Sequence, residues 1–221
     1  MIKIFVPFIS LAISLFFLCN CSAQNDHIHL PSPESEKGIS VENALSQRRS
    51  VRDFKEQDLD IKQISQLLWS AQGITSDWGG RTAPSAGATY PVEIYLVVNS
   101  SEKLSPGLYH YNNKDHSLQL RKKEILGKKL RQASLGQMPI EEAPVNIIIT
   151  AVFQRTAKRY GERAERYVYI ESGHVGQNIY LQAESLGLGT VVIGAFHDEQ
   201  VKKILGIDED VIVIMPVGEK K

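Results

Sequence analysis

Arg48-Arg49-Ser50-Val51-Arg52-Asp53-Phe54 sets two guanidinium groups and a hydroxyl at alternate positions. In an extended chain every second side chain points the same way, so Arg48, Ser50 and Arg52 share a face. Two forked cations and a hydroxyl suit a phosphate monoester. A solvated basic turn at a helix end is the competing reading. The second candidate is Ala83-Pro84-Ser85-Ala86-Gly87-Ala88-Thr89-Tyr90-Pro91, where five of nine residues are Ala, Ser or Gly. A flat ligand can lie against such a backbone and meet its amide groups, although a tight connection between packed elements has the same composition. The third is Gly187-Leu188-Gly189-Thr190-Val191-Val192-Ile193-Gly194-Ala195-Phe196. Its first glycines precede the apolar run and lack the full dinucleotide fingerprint, so a helix stop explains them. Gly194 and Ala195 follow the run and again permit close backbone approach.

Other chemistries are excluded. The two cysteines are Cys19 and Cys21, so the rest of the chain has no thiol nucleophile, disulfide, iron–sulfur cluster or Cys-bound zinc. Glu171-x-x-His174 is half of a di-iron motif whose second copy is missing, and no metal site is expected. His174 itself reads as a hydrogen-bonded core histidine. With 25 basic and 25 acidic residues the net charge is zero, which removes the footprint of a general nucleic-acid binder.

The elements that position these segments follow from periodicity. Val41–Gln47 reads as a short helix. Residues 60–72 form a better one, with Ile61, Ile64, Leu67 and Leu68 at helical spacing, an aspartate cap and Gly73 as its stop. Residues 92–99 are a β-branched strand, and 108–111 and 117–121 flank the hairpin signal Asn112-Asn113-Lys114-Asp115. Residues 145–153 read as a strand buried on both faces, 161–186 as one long helix, and 190–193 and 211–217 as strands around the helix 198–205. Helices and strands intermix without strict alternation, which predicts an α+β fold.

Two segments precede this domain. Residues 4–18 are a nearly unbroken apolar run behind Lys3. At ~1.5 Å per residue the run spans roughly 22 Å, short of a bilayer core, so 1–20 reads as a signal peptide. Leu18-Cys19-Asn20-Cys21-Ser22 resembles a bacterial lipoprotein signal, with Cys21 as the lipidated residue. Residues 21–39, polar and holding Pro31 and Pro33, read as a flexible tether, with His27-x-His29 solvated in it. Residues 40–221 read as one domain, placed in the bacterial cell envelope by its anchor or else periplasmic or secreted.

Taken in order, the three segments resemble the nitroreductase family of FMN-dependent oxidoreductases, and within it the SagB-type dehydrogenase branch. Arg-Arg-Ser-x-Arg-x-Phe at 48–54 carries the family likeness, and Pro84-Ser85-Ala86-Gly87-Ala88-Thr89-Tyr90-Pro91 carries the branch. Glu171-Ser172-Gly173-His174-Val175-Gly176-Gln177-Asn178, leading into Leu186-Gly187-Leu188-Gly189-Thr190, supports both. The resemblance implies a central mixed or antiparallel sheet flanked by helices in an intertwined homodimer. It implies that Arg48, Ser50 and Arg52 hold the FMN phosphate and ribityl chain. It places Pro84, Ser85 and Ala86 of the partner subunit against the ring, and Gly194 and Ala195 near flavin N5 and O4. Gln137 is the candidate ring-reading side chain, and Tyr90, His174 and Tyr160 are candidate proton donors. Lys220 and Lys221, the only basic residues near the C-terminus, are expected at a frayed end. The implied activity is hydride transfer through flavin N5 between a small-molecule substrate and a second donor or acceptor such as NAD(P)H, quinone or oxygen. A non-catalytic flavin-binding envelope lipoprotein is the alternative.

Overall fold

The computed structural model describes residue 1, residues 27–35 and residues 38–221. The apolar run and Cys21 lie outside the described residues. Among those described, no helix is long and apolar enough to cross a membrane.

Seven strands form one antiparallel sheet: β1 (His27–His29), β2 (Val92–Val98), β3 (Gly107–Asn112), β4 (Ser117–Lys122), β5 (Val145–Ala151), β6 (Leu188–Thr190) and β7 (Asp210–Glu219), in the order β1-β4-β3-β2-β5-β7-β6. β5 lies inside the sheet between β2 and β7 and is buried at every position, as a continuous apolar run requires. The helices are α1 (Val41–Gln47), α2 (Ile61–Gln72), α3 (Gly127–Ala133), α4 (Pro139–Glu142), α5 (Phe153–Tyr160), α6 (Ala164–Ser185) and α7 (Asp198–Leu205). Cores lie on both sides of the sheet. Ile64, Leu67 and Leu68 of α2 and Val175 and Ile179 of α6 pack with Ile94, Leu96, Ile147 and Ile149. On the other side Leu130 of α3, Ile140 of α4 and Val201 and Leu205 of α7 pack with Tyr95, Val97, Ile148 and Ile214. The α+β reading therefore stands.

Local chemistry sets the helix ends. Asp60 caps α2 in a reciprocal capping box with Gln63, and the Gly73 N–H closes the helix on the Trp69 carbonyl. Ser40 caps α1 through the Asn43 N–H, at 3.2 Å.

Four expectations need correction. The tether does not run free to residue 39, because His27–His29 pairs with 117–119 as an edge strand. Leu30 is buried and Ile28 packs on the same core, so apolar residues two apart anchor a segment that looked polar overall. Phe153 starts α5 rather than ending β5; the chain leaves the sheet at Val152, whose N–H donates to the Pro91 carbonyl. The long helix does not start at Gly161, which sits at φ 54 and separates α5 from the turn before α6. The C-terminus is not frayed: Phe54 bridges Lys220, and the Lys220 ammonium meets Glu184 Oε1 at 2.6 Å.

Candidate active site

Arg48, Ser50 and Arg52 leave α1 along the edge of β6. Ser50 forms a parallel bridge with Thr190, and the Val51 N–H donates to the Thr190 carbonyl at 2.9 Å. That contact needs Gly189, because a Cβ there would stand 2.7 Å from Val51 Cγ1. The extended segment turns Arg48 and Ser50 toward one residue, Tyr180 of α6. The Arg48 guanidinium lies 5.1 Å from the Tyr180 ring centroid, a cation–π contact. The Ser50 and Tyr180 hydroxyls share a hydrogen bond at 3.0 Å. The Tyr180 oxygen also accepts from the Val192 N–H at 2.9 Å. Arg52 is exposed and makes no hydrogen bond or ion pair among the described residues.

Gly194 and Ala195 follow directly. Both are exposed, and their N–H groups donate to no other backbone group among the described residues. The preceding Ile193 exchanges two hydrogen bonds with Ile214, which pins the segment to β7 and leaves its continuation facing outward. Gln137 joins this group: its amide donates to the Ala195 carbonyl at 2.9 Å and to the Ser134 carbonyl at 3.1 Å. Gly194 also lines a cavity of about 500 Å³ walled by Phe153, Tyr169 and Phe196 with Glu165, Asp198 and Asp210. The stretch before Pro144 holds α3 and α4, whose packing places Gln137.

Pro84, Ser85 and Ala86 stand elsewhere, in a loop behind which α5 and α6 pass. Ser85 Oγ accepts from the Tyr90 N–H at 2.9 Å. Ala88 and Tyr90 lie at φ 54 and 43, which non-glycine residues rarely adopt. Three contacts hold them there. Arg155 Nη1 donates to the Tyr90 carbonyl at 3.0 Å, Arg159 Nη1 donates to the Gly87 carbonyl at 3.1 Å, and the Thr89 and Thr156 hydroxyls bond at 2.9 Å. Tyr160 belongs to this loop too, since a Cβ on Gly87 would meet its hydroxyl at 2.5 Å.

His174 is exposed on α6, against the expectation of a core histidine. Its helix neighbour Glu171 is the buried one. Gly176 packs beside Val192 and Met215, whereas a Cβ on Gly173 would meet nothing within 4 Å. Tyr180, Arg81, Gln72 and the role of Glu171 escape the sequence reading. Tyr180 lies two residues beyond the motif that ends at Asn178, and nothing in helical periodicity says its hydroxyl meets Ser50. The described residues hold no group of three His, Cys, Asp or Glu side chains that could bind a metal.

Along α6, Tyr180 and Glu171 are nine residues apart, about 13 Å of helix. The phosphate-type group and the small-residue loop of one chain are thus separate ends of a single scaffold.

The model of the Nitroreductase family matches residues 45–219. A Methanocaldococcus jannaschii protein named as a nitroreductase is 44% identical over 195 residues, 88% of this chain and 98% of that protein. The microcin B17-processing protein McbC of Escherichia coli is 27% identical over 189 residues, 81% of this chain and 69% of its own. A crystal structure from Ralstonia eutropha, also named as a nitroreductase, covers 89% of this chain and 90% of its own at 28% identity, with a TM-score of 0.78. With its antiparallel α+β architecture and these matches, the chain belongs to the nitroreductase family of flavin oxidoreductases.

Proposed function

We propose that this chain is an FMN-dependent oxidoreductase that works as a homodimer on a small organic substrate. One juxtaposition carries the reading. Arg48 and Ser50 converge on Tyr180, and the chain that Tyr180 holds at Val192 goes on to the uncommitted N–H groups of Gly194 and Ala195. A phosphorylated planar cofactor fits that set: cations and a hydroxyl for the phosphate, free amides for a ring edge.

Each residue then has a task. Arg48, Ser50 and Arg52 hold the phosphate and ribityl chain. Gly194 and Ala195 N–H groups stabilise negative charge at the ring edge without reorganising. Gln137, fixed on the Ala195 carbonyl, orients that edge. Pro84, Ser85 and Ala86 of the second protomer cover the ring and exclude water. FMN, when bound, supplies hydride transfer at N5, so the domain needs no protein nucleophile. Protons for each half-reaction come from Tyr90, Tyr160 or His174. The exposure of His174 and the position of the Tyr160 hydroxyl beside Gly87 support both as exchangeable donors.

The N-terminal sequence supports an envelope setting, with 1–20 removed on export and Cys21 carrying the lipid. In that compartment NAD(P)H need not be the physiological donor; a quinone, oxygen or a second small substrate serves as the partner. A mass measurement of the mature chain tests the anchor: the expected product starts at Cys21 and carries acyl chains.

The deciding experiment is an FMN titration of the purified protein. Bound flavin with visible absorbance is expected, and Arg48→Ala should weaken it. A dimer that stays colourless after incubation with FMN overturns the reading. Stopped-flow reduction of the bound flavin by NADH, NADPH or a reduced quinone separates an enzyme from a binding module.

A further inference from the structure

Behind the small-residue loop lies a circuit of polar groups that the proposed chemistry does not use. The Tyr90 N–H donates to Ser85 Oγ. The Ser85 hydroxyl, the Gln72 amide and the Val92 N–H face the carboxyl of Glu171. Gln72 Oε1 accepts from Arg81 Nη1 at 2.8 Å. The Arg81 guanidinium lies 4.1 Å from the Tyr90 ring centroid, so the circuit closes where it began. Glu171 and Gln72 are each 1% exposed, and Glu171 Oε1 and Gln72 Nε2 complete no hydrogen bond of standard geometry.

Sequestered polar groups with free capacity are costly and persist where they serve a purpose. The loop they back contains the left-handed Ala88 and Tyr90. Such a conformation lasts only where its surroundings over-determine it.

We infer that Glu171 is the positioning residue of this loop: its buried carboxyl fixes Ser85, and through Ser85 the turn to Tyr90 that presents Pro84, Ser85 and Ala86. That the presented face covers a flavin rests on the function proposed above; that Glu171 holds the loop does not.

The surroundings give the device a pH dependence. Burial raises the Glu171 pKa, and Ser85, the Arg81 charge, Gln72 and the Val92 N–H oppose it without cancelling it. Arg81 is the cation among these groups; burial lowers its pKa, the Glu93, Tyr90 and Glu171 charges raise it, and Arg155 lowers it further. The carboxyl therefore keeps its proton to a higher pH than an ordinary glutamate. Opening the loop to water returns the carboxyl to its ordinary range, so ionisation above that point favours the loosened loop.

Amide hydrogen exchange on the full chain without flavin, from pH 5 to 9 and corrected for intrinsic rates, tests the inference. In the native protein the protection of the Tyr90 amide should fall about tenfold across one ionisation. E171Q should hold the low-pH protection throughout. E171A and S85A should each lose about tenfold or more at every pH, while amides of β2 and β5 keep theirs. E171Q with the native pH dependence, or E171A with native protection, overturns the inference. If E171A does not fold, S85A and E171Q decide it by the same criteria. FMN titration of these variants separates the two claims. A loosened loop with weakened FMN binding supports both, and a loosened loop with native FMN affinity sustains the Glu171–Ser85 link while refuting the loop as a ring cover.

Discussion

Ser50 reaches Tyr180 from a stretch of chain already tied to β6, whereas Ser85 stands in a loop where two non-glycine residues are left-handed. The first region uses regular structure: a bridge to Thr190, a close approach at Gly189 and a helix residue that reads both Ser50 and Val192. The second uses side chains from two directions to hold an unfavourable backbone: Arg155 and Arg159 from α5, and Arg81 after α2. The contrast suits the ends of a cofactor. A phosphate needs fixed donors at one point, which a strand edge supplies cheaply. A ring needs a shaped, close surface, which a small-residue loop supplies only under restraint.

The sharpest break of this contrast is Gly189→Val. Overpacking against Val51 should cost about 1–3 kcal/mol of stability and detach the Arg48–Arg52 segment. Chemical denaturation and FMN affinity should fall together; loss of neither would mean that the strand-edge bridge does not set the first region. Arg48→Ala comes next. Losing a charge-assisted bond should weaken FMN binding by roughly 1.5–3 kcal/mol with little change in stability. Isothermal titration at two salt concentrations checks it, and unchanged affinity would remove Arg48 from the phosphate set.

Tyr180→Phe deletes the hydroxyl shared by Ser50 and Val192. About 1–2 kcal/mol of stability should go, since the Val192 N–H loses its acceptor. A loss confined to FMN affinity would recast Tyr180 as a ligand contact only. Ala88→Gly works in the opposite sense, because glycine tolerates positive φ. Stability should rise by about 0.5 kcal/mol, a degree or two in melting temperature. A drop would show the loop to be unstrained.

The smallest effect is in pH. Burial pushes the Glu93 pKa up, but hydrogen bonds from His110 and Arg155, with their charges, outweigh it and leave the carboxyl below the usual range. A depressed folded value means stability that is present above the ordinary glutamate pKa and lost as pH falls through the folded one. Acid unfolding of the native protein should therefore be steeper there than that of Glu93→Gln. Equal slopes would disconnect this ion-paired network from folding.

Much of the first region was legible in the chain. Alternation brings Arg48 and Ser50 to one side, and the glycines around Thr190 mark where backbone must approach. The second region was legible as composition alone. Five small residues say that something flat or close must pass, yet not which side chains restrain them. Glu171 looked like half of a metal motif because spacing on a helix is visible and its neighbours are not. β1 was hidden for the same reason: Ile28 and Leu30 are too few to outweigh polar surroundings until β4 offers them an edge.

The sequence by itself determined the helices with caps and stops, the central apolar strands, the α+β class and the order of three motifs, because these depend on periodicity and near neighbours. Only the tertiary structure decided that Tyr180 joins Ser50 to Val192, that Gln137 rests on Ala195, and that Glu171 is buried while His174 is exposed. Those meetings join residues 12 to 130 positions apart, and packing across a sheet, not local spacing, chooses them.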